Sequence, residues 1–407
     1  MPSDPLATIV IPTIHGTLFV PEILYWLNKE ALDCIEVIVV DNSAEKTSEL
    51  DVLADEFAGG RLKIIKTPTY LNMVDNWNHA LAQANGEYVI YLTDKMIFLP
   101  GFLRRLIEIL QSDRFDILNW TDDLWTPVEP DIIFGEGWYR QNNEARHSEI
   151  GYYDPQKEIS RKTMCNPPRR LQSRSDYVRG KICFGAYSRS LINRIVKKYR
   201  KLFHHISPDY TSMILGLNEA TLTAEVHRSG IVCLGTNLST GNINDLSSTA
   251  AYGFLCESGK HEELIEGMPV KGLYCSTHNS ILRDYLRMKN EFNFQYEISF
   301  DDWFVEIGID LSKRGRLWPS DEEKKTQIAL FEKCLTQMDK TRRDKIKRQI
   351  CEHMIVLRDS LRDEFVKLVR PLIYKYTPYR NGVVHSSFRE GVESLNSEKR
   401  IVLPQVE

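Results

Sequence analysis

Polar side chains suited to ligand binding follow several strand-like segments early in the chain. Thr13 follows the first segment, Asp41 and Asn42 follow the second, and Asp94 follows a later one. A carboxylate at a strand end can accept hydrogen bonds from N–H and hydroxyl groups of a ligand. An Asp–Asn–Ser run also forms turns and caps helices, so both interpretations of Asp41 stay open on this ground alone.

The elements that would position these side chains are strands separated by helices. Segments rich in Val, Ile and Tyr predict strands at 7–11, 35–40, 62–66, 88–92 and 115–119. Helices are expected from Pro21 in a first turn, from Asn72 as an N-cap, and from Pro100. Strands joined through helices pair in parallel by right-handed crossovers. The pattern predicts an α/β, Rossmann-like, mostly parallel sheet with helices on both faces, whose ligands bind beyond the carboxyl ends of the strands.

The composition excludes several classes of protein. The 407 residues carry 52 basic and 56 acidic side chains, so no overall positive field favours nucleic acid. No apolar run approaches the roughly 20 residues that span a bilayer, and the N-terminus has no signal-peptide pattern, which favours a cytoplasmic protein. The eight cysteines form no CxxC pair of the zinc-site kind. Neither GxGxxG nor GxxxxGK[ST] follows a strand, which argues against a dinucleotide-binding dehydrogenase and a P-loop kinase.

Four blocks of residues, in their order and spacing, resemble the family 2 glycosyltransferases. The blocks are Thr8–Thr13, Val37–Ser43, Asn72–Asn78 and Gly86–Asp94, and a looser similarity extends over about the first 245 residues. The resemblance implies a glycosyltransferase A-type fold and an enzyme of the bacterial surface-glycan type. Its partners would be a nucleotide-sugar donor and a glycan or lipid-linked acceptor.

The same resemblance implies a donor site built on the first strands. Pro12 and Thr13 would line the floor beneath the nucleotide, and Asp41 with Asn42 would contact the base or ribose. Asn76 would present its amide to the donor. The alternative for this helix is that Trp77 packs in the core while the Asn side chains are solvated.

The segment around Asp94 departs from the family pattern. Relatives place an acidic cluster here that holds Mg²⁺ or Mn²⁺ against the diphosphate, whereas this chain has Lys95 and Met96 at neighbouring acidic positions. One hypothesis is that Lys95 supplies the positive charge itself. The other, slightly favoured, is that Lys95 points to solvent and Asp94 binds the metal with help from Asp122, Asp123 or a distant residue such as His227.

Inverting sugar transfer needs a base that takes the proton of the acceptor hydroxyl. In the family this base is an Asp at a helix start beyond the sheet, and the matching residue here is Asp209, which follows Ser207 and Pro208. A first-turn carboxylate also simply stabilises a helix. Further contacts to acceptor or phosphate are expected from Arg174, Arg179, Gly185 and His204, with Lys181 as another candidate.

The rest of the chain is expected to complete and extend this domain. Residues 1–250 form the catalytic domain, with a donor half to about 124 and an acceptor half that begins with an irregular lid over 125–179. Residues 251–377 form a mainly helical region, and 378–407 a polar tail. The segment 365–376 mixes apolar and basic residues and could lie on an anionic membrane surface, although packing against the catalytic domain or a second subunit is the favoured explanation.

The resemblance implies an inverting transferase that adds a sugar from a UDP-sugar to a growing surface polysaccharide or lipid-linked glycan. The depleted acidic cluster leaves a second function open, a nucleotide-sugar-binding pseudoenzyme or scaffold of a glycan-assembly complex. A nucleotidyltransferase is disfavoured because Pro12 and Thr13 follow the first strand in place of a Gly- and Arg-rich phosphate loop.

Overall fold

The computed structural model describes residues 4–30, 32–43, 50, 52–54, 57, 61–142, 148–168, 172–236, 238, 240–313, 316–359 and 383–398. Its strands belong to one sheet of eleven strands. They are β1 (Ala7–Thr13), β2 (Ile35–Asp41), β3 (Arg61–Lys66), β4 (Tyr88–Tyr91), β5 (Met96–Phe98), β6 (Ile117–Pro127), β7 (Gly137–Arg140), β8 (Ile150–Tyr152), β9 (Gly185–Ser188), β10 (Thr223–Leu234) and β11 (Val383–His385).

Helices flank the sheet and continue beyond it toward the C-terminus. The first seven are α1 (Gly16–Glu30), α2 (Met73–Leu81), α3 (Phe102–Ser112), α4 (Pro155–Thr163), α5 (Arg174–Val178), α6 (Arg189–Tyr199) and α7 (Pro208–Glu219). The later helices are α8 (Thr240–Leu246), α9 (Ser248–Cys256), α10 (His261–Glu266), α11 (Thr277–Glu291), α12 (Phe300–Ser312), α13 (Asp321–Thr336), α14 (Lys340–Asp359) and α15 (Phe388–Glu398).

The sheet has a parallel half and a mixed half. The order β3-β2-β1-β4 is parallel, with Thr13 paired to Asp41 at the carboxyl ends of β1 and β2. Strand β9 then pairs antiparallel with both β4 and β6, and β10 pairs parallel with β6. The α/β class is confirmed, but the sheet is mixed rather than mostly parallel, because the hairpin from β6 to β7 needs no crossover helix.

The core of the parallel half explains why its strands read as apolar runs. Every residue of β1 and β2 is buried, as expected for strands covered on both faces. The Trp77 ring packs against Tyr91 and Phe203 at centroid distances of 5.4 and 5.1 Å. This core holds the carboxyl ends of the parallel strands in fixed relative positions.

Two local expectations are wrong. Helix α1 begins at Gly16, so Pro21 lies inside the helix and not in its first turn. The region 125–179 is not an irregular lid where it is described, because it contains the end of β6, strands β7 and β8, and helices α4 and α5. The carboxyl half of β6 was missed because the polar run Thr121–Asp123 follows the predicted strand 115–119, and its pairing with β10 supplies the backbone partners that the sequence pattern does not reveal.

The segment 383–398 is not a polar tail. Strand β11 extends the sheet by pairing with β7, and Phe388 is fully buried against Trp125 and Phe134 at ring distances of 5.4 and 5.5 Å. Arg389 makes a bidentate contact to Glu22 of α1. Phe388 and Val392 of this segment are therefore buried against the rest of the protein, whereas 365–376 lies outside the described residues.

Replacing Phe388 by alanine should lower the free energy of unfolding by roughly 3 kcal/mol, because it empties a closed aromatic site. Thermal unfolding of the full chain measures this as a reduced melting temperature. Val383→Ala, at a position on the same segment that is 63% exposed, is the matched control and should change little. Equal melting temperatures for the two variants would show that this segment does not pack on the sheet.

Candidate functional site

Two buried strand-end residues, Thr13 and Asp94, are linked by a hydrogen bond. Thr13 Oγ1 donates to Asp94 Oδ2 at 2.8 Å, and the N–H of His15 donates to Thr13 Oγ1 at 3.1 Å. Thr13 and Asp94 are 2% and 5% exposed. Pro12 precedes them inside β1, where it pairs with Val40. The predicted floor residues thus lie together at the carboxyl edge of the sheet.

Lys95 lies on Asp94 and does not point to solvent. Its ammonium is 2.6 Å from Asp94 Oδ1 and 5.0 Å from the centroid of the Phe19 ring, and its side chain is only 16% exposed. Both carboxylate oxygens of Asp94 therefore have a donor, Thr13 on one side and Lys95 on the other. The expectation of a solvated Lys95 is wrong.

Asp41 and Asn42, at the end of β2, have different hydrogen-bond partners. The Asp41 carboxylate accepts from Ser43 N–H and from the Lys66 ammonium, both at 2.9 Å. Burial acts to raise the pKa of Asp41, but these two donors outweigh it and hold the pKa below its usual value, so the group is anionic. The Asn42 side chain binds Leu71 N–H and C=O and the Thr67 hydroxyl, so it positions the loop before α2.

Asn76 of α2 is buried rather than solvated. It is 4% exposed, and its Oδ1 has no hydrogen-bond partner in the part of the chain that the structure describes. The neighbouring Trp77 packs in the core, as expected if the Asn side chains of this helix were solvated, but Asn76 is not solvated. A buried carbonyl oxygen without a partner is costly, which makes Asn76 a candidate to accept a hydrogen bond from a ligand.

The acidic side chains named as helpers for a metal are engaged elsewhere. Asp122 makes a bidentate pair with Arg174, and Asp123 accepts from the Tyr139 hydroxyl and the Asn142 N–H. His227 contacts Ser148 and Glu225. Among the described residues, no three His, Cys, Asp or Glu side chains gather as metal ligands. Asp94, the remaining acidic side chain, has Lys95 against it at 2.6 Å.

Asp209 begins α7 and faces a buried lysine. Its carboxylate is 31% exposed, and its Oδ2 lies 3.3 Å from the Lys181 ammonium. Lys181 is 1% exposed, between the rings of Tyr177 and Tyr210 at 3.9 and 3.8 Å from their centroids. Burial acts to lower the pKa of Lys181, but the two phenols and Asp209 outweigh it and keep the lysine charged. Asp209 is therefore a reachable carboxylate beside a fixed positive charge.

Lys181 was predicted only as a further candidate contact to acceptor or phosphate, and its burial was not predicted. Its signal in the sequence is weak, a single lysine directly before the apolar run Ile182–Phe184. A charged residue at the edge of a buried segment is rarely fully buried unless it is paired.

Comparison with known families bears on the parallel half of the sheet. Residues 8–123 match the model described as Glycosyl transferase family 2. These residues belong to glycosyltransferase family 2. The match runs from β1 into β6 and includes Thr13, Asp41 and Asp94, so the strand-end residues of this glycosyltransferase lie within the family segment, while Asp209 lies beyond it.

Comparisons with individual proteins add little. No curated protein matches the sequence. Solved structures that resemble the glycosyltransferase include S. aureus TarS 1-349 in complex with UDP-GlcNAc, with 13% identity, a TM-score of 0.41, and coverage of 88% of this chain and 92% of that one. S. aureus TarS 1-349 in complex with UDP has 14% identity, a TM-score of 0.40, and coverage of 88% and 91%. Likeness at this level supports no conclusion about this chain.

Two of the expected acceptor contacts of the glycosyltransferase are structural. Arg179 pairs with both oxygens of Glu225, at 3.0 and 2.6 Å, and with Glu158 at 3.3 Å. Gly185 lies within β9, where a Cβ would come 2.4 Å from the Asn119 amide nitrogen. Arg179 is therefore committed to a buried ion pair, and Gly185 allows close packing between strands.

Arg174 lies near the Asp209–Lys181 pair. Its guanidinium lies over the rings of Tyr177 and Phe184, at 4.4 and 5.0 Å, while it pairs with Asp122. Tyr177 thus lies against both Arg174 and Lys181. Of the four predicted contacts, Arg174 is the one that shares a neighbour with the Asp209–Lys181 pair.

His204 is buried and serves the fold rather than the acceptor. It is 4% exposed, its Nε2 lies 2.9 Å from Lys201 C=O, and its ring packs on Phe292 at 5.2 Å. Burial lowers the pKa of His204 to about 4, although the contact to Lys201 C=O raises it slightly. A neutral, enclosed imidazole cannot serve as an acid at neutral pH.

The buried His204 should make the glycosyltransferase sensitive to acid. In the unfolded chain the imidazole gains a proton below its ordinary pKa of about 6.5, whereas the folded protein resists protonation until about pH 4. The free energy of unfolding therefore keeps its full value above about pH 6.5 and falls by roughly 3 kcal/mol as the pH drops to about 4. Urea unfolding should show a shallower pH dependence for His204→Gln in this window. Parallel curves for wild type and variant would refute the assignment.

Proposed function

We propose that this glycosyltransferase moves a sugar from a UDP-sugar to a hydroxyl group of a growing surface polysaccharide or lipid-linked glycan, with inversion at the anomeric carbon. The observation that carries the proposal is the reachable Asp209 carboxylate, fixed at a helix start by Lys181 at 3.3 Å. A single base of this kind suits direct displacement by the acceptor oxygen.

The donor half of the proposal rests on the strand ends. Asp41 is anionic and suited to accept from the uracil N–H or a ribose hydroxyl. In the proposal Thr13 and Pro12 form the floor beside it, and Asn76 Oδ1 is a buried acceptor that has no partner in the described chain. Asn42 contributes by holding the loop around Leu71.

The charge on the diphosphate is met by Lys95 in this proposal. An ammonium group has three donors, so Lys95 can keep its bond to Asp94 and also donate to phosphate oxygens. A point charge at this position would stabilise the leaving nucleoside diphosphate as the glycosidic bond breaks. Asp94 then acts as the anchor of Lys95.

The proposed transfer is a single displacement at the anomeric carbon. The acceptor oxygen forms a bond to the anomeric carbon while the bond from that carbon to the diphosphate oxygen breaks. The nucleoside diphosphate leaves with the bonding electron pair, and Asp209 takes the proton of the acceptor hydroxyl. The Lys181 ammonium, 3.3 Å from Asp209 Oδ2, holds this carboxylate in place for the proton transfer.

The proposal also includes the place where a lipid-linked acceptor would meet the protein. Among the described residues, no helix is long and apolar enough to cross a membrane. A lipid-linked acceptor would require peripheral contact at the inner face of the membrane. The basic, apolar segment 365–376 is the proposed contact.

Thermal shift with a panel of nucleotide sugars, in Mn²⁺ and in chelator, tests the donor site, because a ligand that binds the native state raises the melting temperature. We expect a shift with one UDP-sugar that survives chelation, followed by slow donor hydrolysis and, with acceptor, an inverted product by NMR. Binding with neither hydrolysis nor transfer would favour the scaffold function. The absence of a shift with any nucleotide sugar would overturn the proposed donor site.

A further inference from the structure

The turn before α7 has an unusual means of support. The N-cap residue Ser207 makes no capping hydrogen bond with its side chain, and Pro208 follows it at the first helical position. The N–H groups of Ile206 and Ser207 donate instead to Asp284 Oδ2, at 3.1 and 2.8 Å. Asp284 belongs to α11, so a carboxylate of the C-terminal helical region closes the turn that leads into Asp209.

The same turn contains a residue in the left-handed region. His205 has φ of 55°, which few residues other than glycine adopt and which persists only where the surroundings hold it. On one side, Asn78 of α2 binds both the N–H and the C=O of Phe203. On the other side, Asp284 binds the two N–H groups that follow His205. The turn is therefore fixed from both directions.

Asp284 is rigid and enclosed. It is fully buried, and its second oxygen lies 3.1 Å from the Arg283 guanidinium, which is itself 2% exposed. The next residue, Tyr285, has its ring 6.5 Å from Tyr210, one of the two rings that enclose Lys181. Tyr285 also packs edge-on against Trp303 of α12. Helix α11 thus contacts α7 at two places: Asp284 binds the turn that precedes α7, and the Tyr285 ring lies near the Tyr210 ring.

We infer that Asp284 is a positioning residue for sugar transfer, which acts by fixing the turn 205–207 so that Asp209 is held against Lys181. The inference rests on the proposed role of Asp209 as the base. It makes the C-terminal helical region part of the catalytic apparatus through the contact of Asp284 to this turn. Displacement of a base by about 1 Å can cost on the order of 100-fold in rate.

Asp284→Ala should lower kcat by roughly 30-fold while donor KM stays within about threefold, because the donor site lies on other elements. Asp284→Asn keeps one oxygen that can accept both N–H groups, and should recover most of the lost rate. Asp310→Asn is the matched control, since Asp310 is equally buried in the same region and binds His278 and Lys313 instead. It should keep kcat at any temperature where it is folded.

A double-mutant test separates positioning from general damage. In an Asp209→Asn background, Asp284→Ala should not lower the residual rate further, because its effect passes through the base. A further drop of similar size, or an equal loss of kcat in Asp310→Asn, would overturn the inference. If Asp209→Asn is inactive while Asp284→Ala keeps its kcat, only the inference fails. If Asp209→Asn transfers normally, the proposed base is wrong and the inference fails with it.

Discussion

Replacing Asp209 by asparagine is expected to lower kcat for sugar transfer by roughly 1,000-fold, while nucleotide binding stays within about threefold of wild type. Asparagine has nearly the same shape and can still lie beside Lys181, but it cannot take a proton from the acceptor hydroxyl. The donor residues lie on other elements, the ends of β1 and β2, helix α2 and the loop after β4. The loss should therefore fall on kcat and not on donor affinity.

Steady-state kinetics together with nucleotide titration measures this prediction. Asp321→Asn is the matched control, because Asp321 is an exposed first-turn carboxylate of α13, away from the site. It should leave kcat unchanged. If Asp209→Asn transfers at the wild-type rate, its carboxylate only stabilises the start of α7.

Lys95→Gln should reduce kcat/KM by a factor of roughly 100 to 1,000, in the range found when one preorganised donor to a developing charge is removed. The same substitution leaves Asp94 without its cation at 2.6 Å, so some loss of donor affinity is expected along with the loss of rate. Wild-type transfer should be equally fast in chelator and in Mn²⁺.

The matched control is Lys63→Gln, which removes an ion pair of the same length to Glu36, at 2.6 Å, on the same parallel half of the sheet. Glu36 lies at the amino end of β2, whereas Asp41 lies at its carboxyl end, so donor kinetics should not change. Full activity of Lys95→Gln, combined with a strict need for Mn²⁺, would assign the charge role to a metal and to Asp94.

The sequence allowed the strand-end residues to be predicted because local rules decide them. Apolar runs predict buried strands, helices between them impose parallel pairing, and Thr13, Asp41 and Asp94 then meet at one edge. The Asn72 cap is local as well, and the structure confirms it, since its Oδ1 accepts the N–H of Asp75. Asp209 at the start of α7 follows from the same kind of local signal.

The partners of these residues could not be predicted, because they depend on contacts between distant parts of the chain. Lys95 could have pointed to solvent, and only the packing of Phe19 and Asp94 around it decides otherwise. Lys181 and Asp284 look like ordinary surface charges in the sequence, yet tertiary contacts bury both. The pattern of the polar segment 383–398 gave equally little sign that it would extend the sheet.

The place of β11 at the sheet edge has a consequence for folding during synthesis. Its partner β7 is translated some 240 residues earlier, so its edge has no strand from 383–398 to pair with while the ribosome makes the intervening helices. An unpaired edge is a template for wrong pairing with other chains, and contacts this distant in sequence form slowly. Nascent chains paused before residue 383 should therefore be the species that most needs a chaperone, and a slowed ribosome should increase aggregation rather than help folding.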